Sequence, residues 1–237
     1  MAYWYGDNSE RSTHTVPMDE CCGPTDPSGY DAVFDARFAE KRARQYRRKG
    51  LTPTERQLVE FLASTGTGLS GRTVLEVGGG VGEVQLELLA RGAAHTTNLE
   101  LSAAYEAEAA RLIDEAGVGG RVDRILGIDL AASPEAVERA DVVVLHRVVC
   151  CYPDVSRLLG AAADRARSTI VFSYPPRTVM TRATVAIGNL MVRISGRSYR
   201  GYVHSPHIMV DVIRSHGLEP AYRHRGAAWC LLGAIRG

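Results

Sequence analysis

Thr73-Val74-Leu75-Glu76-Val77-Gly78-Gly79-Gly80-Val81-Gly82-Glu83 is the stretch that decides the fold. A β-branched apolar run ends in an acid and then in glycines at 78, 80 and 82. A helical pattern, Glu83 to Leu89, follows without a gap. Buried strand, turn and helix N-terminus in immediate succession form the opening unit of a nucleotide-binding α/β sheet. Glycine is needed where a side chain would block a ligand or forbid the turn's φ angles.

Outward from that unit the pattern alternates. Strands are expected at 73–77, 95–99, 122–126, 141–145 and 169–173, with helices at 83–91, 102–116, 134–139 and 154–167. Such alternation implies parallel pairing through right-handed crossovers. Ser102 reads as a helix N-cap. Before the first strand, Tyr30 to Lys49 has Phe34, Phe38 and Tyr46 spaced for one helical face, and Thr52-Pro53 starts a helix over 54–63. Beyond the fifth strand, Pro175-Pro176 stops the chain. An insert follows, helical over 179–192, then a helix begun by Ser205-Pro206 and ended by Gly217. Two last strands, 221–224 and 228–235, suit a hairpin. Residues 1–29 lack periodicity and read as a flexible arm, 30–70 as a helical lid, and 71–237 as the main domain with a lid-like insert at 177–203.

Composition excludes several classes. Lys and Arg number 28 against 27 Asp and Glu, so no bulk charge favours nucleic acid or an anionic membrane. No apolar stretch reaches the roughly 18 residues of a membrane span, and the polar opening resembles no signal peptide. Five cysteines, four of them in two adjacent pairs, do not form a secreted disulfide framework. A cytoplasmic monomer or homodimer is the expectation. The run Lys41 to Lys49 could grip RNA, but balanced charge favours the wet side of an amphipathic helix.

A dinucleotide fingerprint needs glycine at position 83, where Glu83 stands. The pattern Glu-x-Gly-x-Gly-x-Gly instead resembles that of class I S-adenosylmethionine-dependent methyltransferases, over roughly residues 30 to 237. The resemblance implies a Rossmann-like α/β fold: a seven-stranded, mostly parallel sheet with an antiparallel last strand, helices on both faces and an N-terminal helical lid. It implies S-adenosyl-L-methionine as cofactor, held by Glu76, Gly78, Gly79 and Gly80. Glu100 at the end of the second strand, with Leu101 beside it, would take both ribose hydroxyls, a task suited to a carboxylate's paired acceptors. Adenine would meet either Asp129, one residue displaced from the family's usual place, or the Ile128 backbone.

The fourth strand emits His146-Arg147-Val148-Val149-Cys150-Cys151-Tyr152-Pro153-Asp154 into the crevice expected at the strands' carboxyl ends. Methyl transfer needs an aligned acceptor and, for a hydroxyl, removal of its proton. His146 is the first candidate base, since histidine titrates near neutrality. It and Arg147 also flank the methionine end. Tyr152 and Tyr46 could place aromatic faces round the sulfonium. Val171 to Thr178 and the insert's Ala186 to Leu190 are similar to the magnesium-protoporphyrin O-methyltransferase branch. In that reading His204 or His207 lines the acceptor pocket or acts as base.

The expected activity is methylation of a small or medium organic acceptor, most readily at oxygen. Three rivals remain open at this point. Cys21-Cys22 and Cys150-Cys151 could capture arsenite for methylation. An NAD-dependent oxidoreductase would bind nicotinamide. A non-catalytic protein could bind S-adenosylmethionine as a sensor. No structural metal is expected, because adjacent cysteines lack zinc-knuckle spacing.

Overall fold

The computed structural model describes residues 29–30, 33–66 and 68–237. The arm expected over residues 1–29, with Cys21 and Cys22, lies outside the described residues apart from Gly29. Seven strands form one sheet in the order β3-β2-β1-β4-β5-β7-β6. They are β1 (Thr73–Val77), β2 (His95–Glu100), β3 (Val122–Leu126), β4 (Ala140–Leu145), β5 (Ala166–Tyr174), β6 (Leu218–Arg225) and β7 (Cys230–Arg236). The first five pair in parallel, whereas β7 runs antiparallel to both β5 and β6. This is the Rossmann-like architecture with an antiparallel last strand that the alternation predicts.

Helices α1 (Ala36–Lys49), α2 (Pro53–Ser64), α3 (Glu83–Ala90), α4 (Glu106–Ala116), α5 (Val155–Arg165), α6 (Val179–Ile194) and α7 (Pro206–Ser215) complete the order. Period-2 alternation along the central strands feeds two cores. Val143, Leu145, Ile170 and Phe172 meet α5 and α7 through Leu158, Leu159, Met209 and Ile213. Val142, Val144 and Val171 on the other face meet α2 and α3 through Leu58, Val59, Leu88 and Leu89. Chain order reverses between β1 and β4, which places the crevice at their carboxyl ends.

Several expected elements differ. The helix over 134–139 is only a 3-10 turn, Pro134–Ala136. Six residues are too few to repay helix nucleation, and Leu130, Ala131 and Val137 enter the core from an irregular crossover instead. The helix expected over 30–49 is not continuous: residues 29–30 are helical, 33–35 are not, and α1 begins at Ala36, where Asp35 accepts from the Phe38 N–H. Helix α5 stops at Arg165 and β5 begins at Ala166, earlier than expected, because Arg236 donates to the Ala163 and Ala166 carbonyls and closes the helix end. Strand β6 extends back to Leu218 through Pro220, which an edge strand tolerates where its register shifts. Of the segment expected as a lid, α2 is core: Leu58 and Val59 are fully buried. Only the chain up to α1 faces the crevice.

Candidate active site

The turn after β1 needs its glycines for two separate reasons. Gly78, Gly80 and Gly82 adopt φ of 63°, 55° and 86°, the left-handed region that disfavours side chains. Gly79 does not, but a Cβ there would run into Asn98 and come within 2.7 Å of Glu76 Cδ, both buried. The turn is fastened from β2. Glu100 accepts from the N–H groups of Gly80 (2.9 Å), Leu101 (2.9 Å) and Ser102 (3.0 Å), and Asn98 Oδ1 accepts from Gly79 N–H at 3.3 Å. Arg124 on β3 donates to the Gly80 carbonyl at 2.9 Å. Burial raises the Glu100 carboxyl against the lowering effect of those N–H donors. Glu76 is also buried, which raises its pKa well above the usual carboxylate range, and its Oε2 has no hydrogen-bond partner among the described residues.

From β4, His146 and Arg147 enter the crevice opposite. Arg147 has the one non-glycine positive φ among the described residues, 60°, and its N–H donates to Ser173 Oγ at 2.7 Å. Its guanidinium lies 5.3 Å from the Trp229 ring centre, a cation–π contact. His146 Nε2 lies 3.4 Å from Glu55 Oε1, without the alignment of a hydrogen bond, so both ring nitrogens lack partners among the described residues. Burial lowers its pKa below the ordinary 6.5, and Arg147 adds to this against the opposing pull of Glu55. The ring is therefore neutral at pH 7.

Glu55 arrives from α2 for a reason legible in its neighbours: Thr52 and Glu55 form a capping box, with Thr52 N–H donating to Glu55 Oε2 at 2.7 Å. Its other oxygen accepts from Arg42 of α1 at 2.9 Å, and Arg42 also bridges to Glu83 at the start of α3. Burial alone would raise the Glu55 carboxyl. His146, the Thr52 N–H and Arg42 together outweigh it and hold the group down at about 2. A depressed carboxyl stabilises the fold above its ordinary value near 4.5 and loses that contribution as pH falls towards 2. The depression corresponds to about 3 kcal/mol. The stability gap between wild type and Glu55→Gln, read by urea denaturation, is expected to close across that window; a gap constant from pH 6 to 3 contradicts it.

The roof is aromatic. Tyr30 O–H donates to the Cys151 carbonyl at 3.1 Å, its ring stacks on Phe34, and Phe34 meets Phe38 edge-on at 5.6 Å. The far wall holds Ile128, Asp129 and Tyr152. Asp129 accepts from Ala131 N–H at 2.9 Å and from Tyr152 O–H at 3.1 Å. Together these surfaces line one open cavity.

Glu76, Gly78, Gly79, Gly80, Glu100, Leu101, Ile128, Asp129, His146, Arg147 and Tyr152 all line this one cavity. Three expected residues do not. Tyr46 lies two turns beyond Phe38 along α1, packs into the core and donates to Glu87 at 3.3 Å. His204 sits behind the wall, with Nε2 2.8 Å from the Tyr152 carbonyl oxygen and its ring stacked on Tyr202. His207, exposed at the start of α7, is also absent from the lining. The sequence reading missed Asn98, Arg124, Glu55, Arg42, Tyr105 and Trp229. The capping box was the one local signal that could have flagged Glu55. Three of the six basic residues in the run enter ion pairs, Arg42 with Glu55 and Glu83, Arg44 with Glu40, and Arg47 with Glu108 and Glu115.

Residues 75–168 match the family model described as a methyltransferase domain. Among solved structures, the magnesium protoporphyrin IX methyltransferase of Synechocystis PCC 6803, with S-adenosylhomocysteine bound, superposes with a TM-score of 0.70 at 20% identity, over 90% of this chain and 100% of that one. An O-methyltransferase family protein from Burkholderia thailandensis gives 0.62 at 22% identity, over 85% of this chain and 62% of that one. The family 2 O-methyltransferase of Planctomyces limnophilus DSM 3776, in complex with apigenin, gives 0.62 at 18%, over 84% and 62%. No curated protein matches the chain in sequence. Residues 75–168 thus carry a methyltransferase domain, which implies S-adenosylmethionine as cofactor, and the chain has the fold of the magnesium protoporphyrin IX methyltransferase bound to S-adenosylhomocysteine. Within the class its fold resembles the magnesium-protoporphyrin methyltransferase branch.

Proposed function

We propose that the enzyme methylates a hydroxyl or carboxyl oxygen of a small or medium, largely apolar organic acceptor. One observation carries this reading: the glycine turn and His146, whose nitrogens make no hydrogen bond among the described residues, open into the same aromatic-roofed cavity. When bound, the cofactor supplies a methyl group on a cationic sulfur. The residues present suit it, since Glu76 offers an unsatisfied oxygen, the glycine turn leaves room for close approach, and Glu100 keeps acceptor capacity beyond its three N–H donors. Glu76 and Gly78 would hold the methionine end, Glu100 and Leu101 the ribose, and Ile128 with Asp129 the adenine. His146 would take the acceptor hydroxyl's proton as the oxygen–methyl bond forms and the carbon–sulfur bond breaks. Tyr30, Phe34 and Phe38 would cover a flat acceptor and exclude water. The apigenin complex of the Planctomyces protein supports an acceptor of that shape.

Incubation with methyl-labelled S-adenosylmethionine and panels of phenols, carboxylic acids, amines and thiols tests the reading. Label in an ether or ester product is expected; label confined to amines or thiols overturns oxygen as the site. Arsenite belongs in the same panel, because Cys150 and Cys151 hold their sulfurs 3.6 Å apart and Cys151 lines the cavity.

A further inference from the structure

Helix α6 presents an apolar face that nothing among the described residues covers. Six of the nine large exposed apolar side chains among the described residues belong to it: Val179 (86% exposed), Met180, Ile187 (60%), Leu190, Met191 (64%) and Ile194. At 100° per residue these six fall on one continuous side, joined by Ala183 and Ala186. The opposite side, with Thr181, Val185, Asn189 and Val192, is half-buried. It is tied down by a reciprocal pair, Asn189 Nδ2 donating to the Gly201 carbonyl at 2.9 Å and Gly201 N–H donating to Asn189 Oδ1 at 2.8 Å. Orientation is thus fixed by polar bonds, with the oily side outward.

Charge narrows what covers that side. Residues 177–203 contain five arginines, Arg177, Arg182, Arg193, Arg197 and Arg200, and no acid. None enters an ion pair among the described residues. Residues 1–28 have the opposite composition: Asp7, Glu10, Asp19, Glu20 and Asp26 against Arg11 alone, with apolar Tyr3-Trp4-Tyr5, Val16 and Met18. Residues 1–28 are joined to Gly29, and Gly29 lies beside the end of α6. Gly29, the first described residue, is buried so closely against Ser198, four residues past the end of α6, that an added Cβ would strike its hydroxyl.

We propose that the occupant of the α6 face is the chain's own acidic segment, residues 1–28, with Trp4 seated on the apolar side. Helix α6 is about 24 Å long, and 28 extended residues reach roughly 90 Å. Tethering at Gly29 supplies an effective concentration on the order of millimolar. A second copy fits less well, because it would appose ten arginines. The face, about 24 Å by 10 Å, is also far below the roughly 800 Å² per partner of a standard interface. An anionic bilayer would meet the acidic segment as a like-charged competitor. This inference is independent of the acceptor's identity.

The chain has two tryptophans, Trp4 and Trp229, so the wild-type spectrum minus that of a Trp4→Phe variant reports Trp4 in the full-length protein. Short-wavelength emission, protected from acrylamide, is expected, and Ile187→Asp with Met191→Asp should shift it to the wavelength of the urea-unfolded chain. Both positions are exposed, and circular dichroism checks that the fold survives. Arg193→Glu with Arg197→Glu should move the emission in the same direction. Water-like Trp4 emission in the wild type overturns the proposal, as does protected emission indifferent to both pairs of substitutions. Protection that grows with protein concentration would assign the face to a second copy instead. Protection that arises only on adding phosphatidylglycerol vesicles would assign it to lipid.

Discussion

Replacing His146 with alanine is expected to lower turnover by roughly 10²–10⁴-fold, the usual contribution of a positioned general base, while cofactor affinity changes little. The ring sits at the end of β4 with Nε2 3.4 Å from Glu55 and neither nitrogen in a hydrogen bond among the described residues, a costly arrangement for a buried polar group unless something binds there. Its pH signature follows from the sign of the shift. Burial lowers the ring's pKa below 6.5, so the base form is already complete at pH 7 and persists as the medium turns mildly acidic. The turnover profile should therefore be flat downward through pH 6.5 and fall only below it. In His146→Ala that acid limb should vanish with the rate. Equal losses of turnover and cofactor affinity, or an unchanged acid limb, would place the base elsewhere.

Replacing Glu100 with alanine should cost about 1–3 kcal/mol of cofactor binding, the scale for losing charge-assisted hydrogen bonds, or roughly 5- to 150-fold in Kd. The structure adds a second consequence. Glu100 holds Gly80, Leu101 and Ser102 N–H groups, so its loss also leaves the glycine turn unfastened and the apo protein less stable. Glu100→Gln separates the two effects, because an amide keeps an acceptor oxygen but not the charge. It should retain more of the apo stability than alanine while still weakening S-adenosylhomocysteine. Wild-type affinity in Glu100→Ala, measured by calorimetry, would remove Glu100 from the cofactor site.

Local chemistry made one half of the site legible and tertiary packing hid the other. Gly78, Gly80 and Glu100 are constrained by their own turn and strand end, so spacing alone located them. His146, Arg147 and Tyr152 followed from the rule that parallel strands present their carboxyl ends to the ligand. Glu55 and Arg42 could not be found that way. They reach Glu83 and His146 across 41 and 91 residues of chain, and only the packing of α1 and α2 brings them together. Tyr46 illustrates the opposite error. Spacing put it on one helical face with Phe34 and Phe38, but Phe34 precedes α1, and eight residues carry Tyr46 about 12 Å beyond Phe38 along the axis, past the cavity and into the core. The short turn at Pro134 had a helix-start signal without the length to use it. Likewise Arg236, whose guanidinium sets where α5 ends, lies 70 residues from the carbonyl it caps.

The central claim is that one cavity, floored by the turn at Gly78 and walled by Glu100 and His146, accepts a sulfur-containing nucleoside. Calorimetric titration of the purified chain with S-adenosylhomocysteine, and separately with NAD, measures this directly. Saturable one-to-one heat with the first, reduced in Glu100→Ala, and none with the second is the predicted result. Silence with S-adenosylhomocysteine, or saturable heat with NAD, would contradict it.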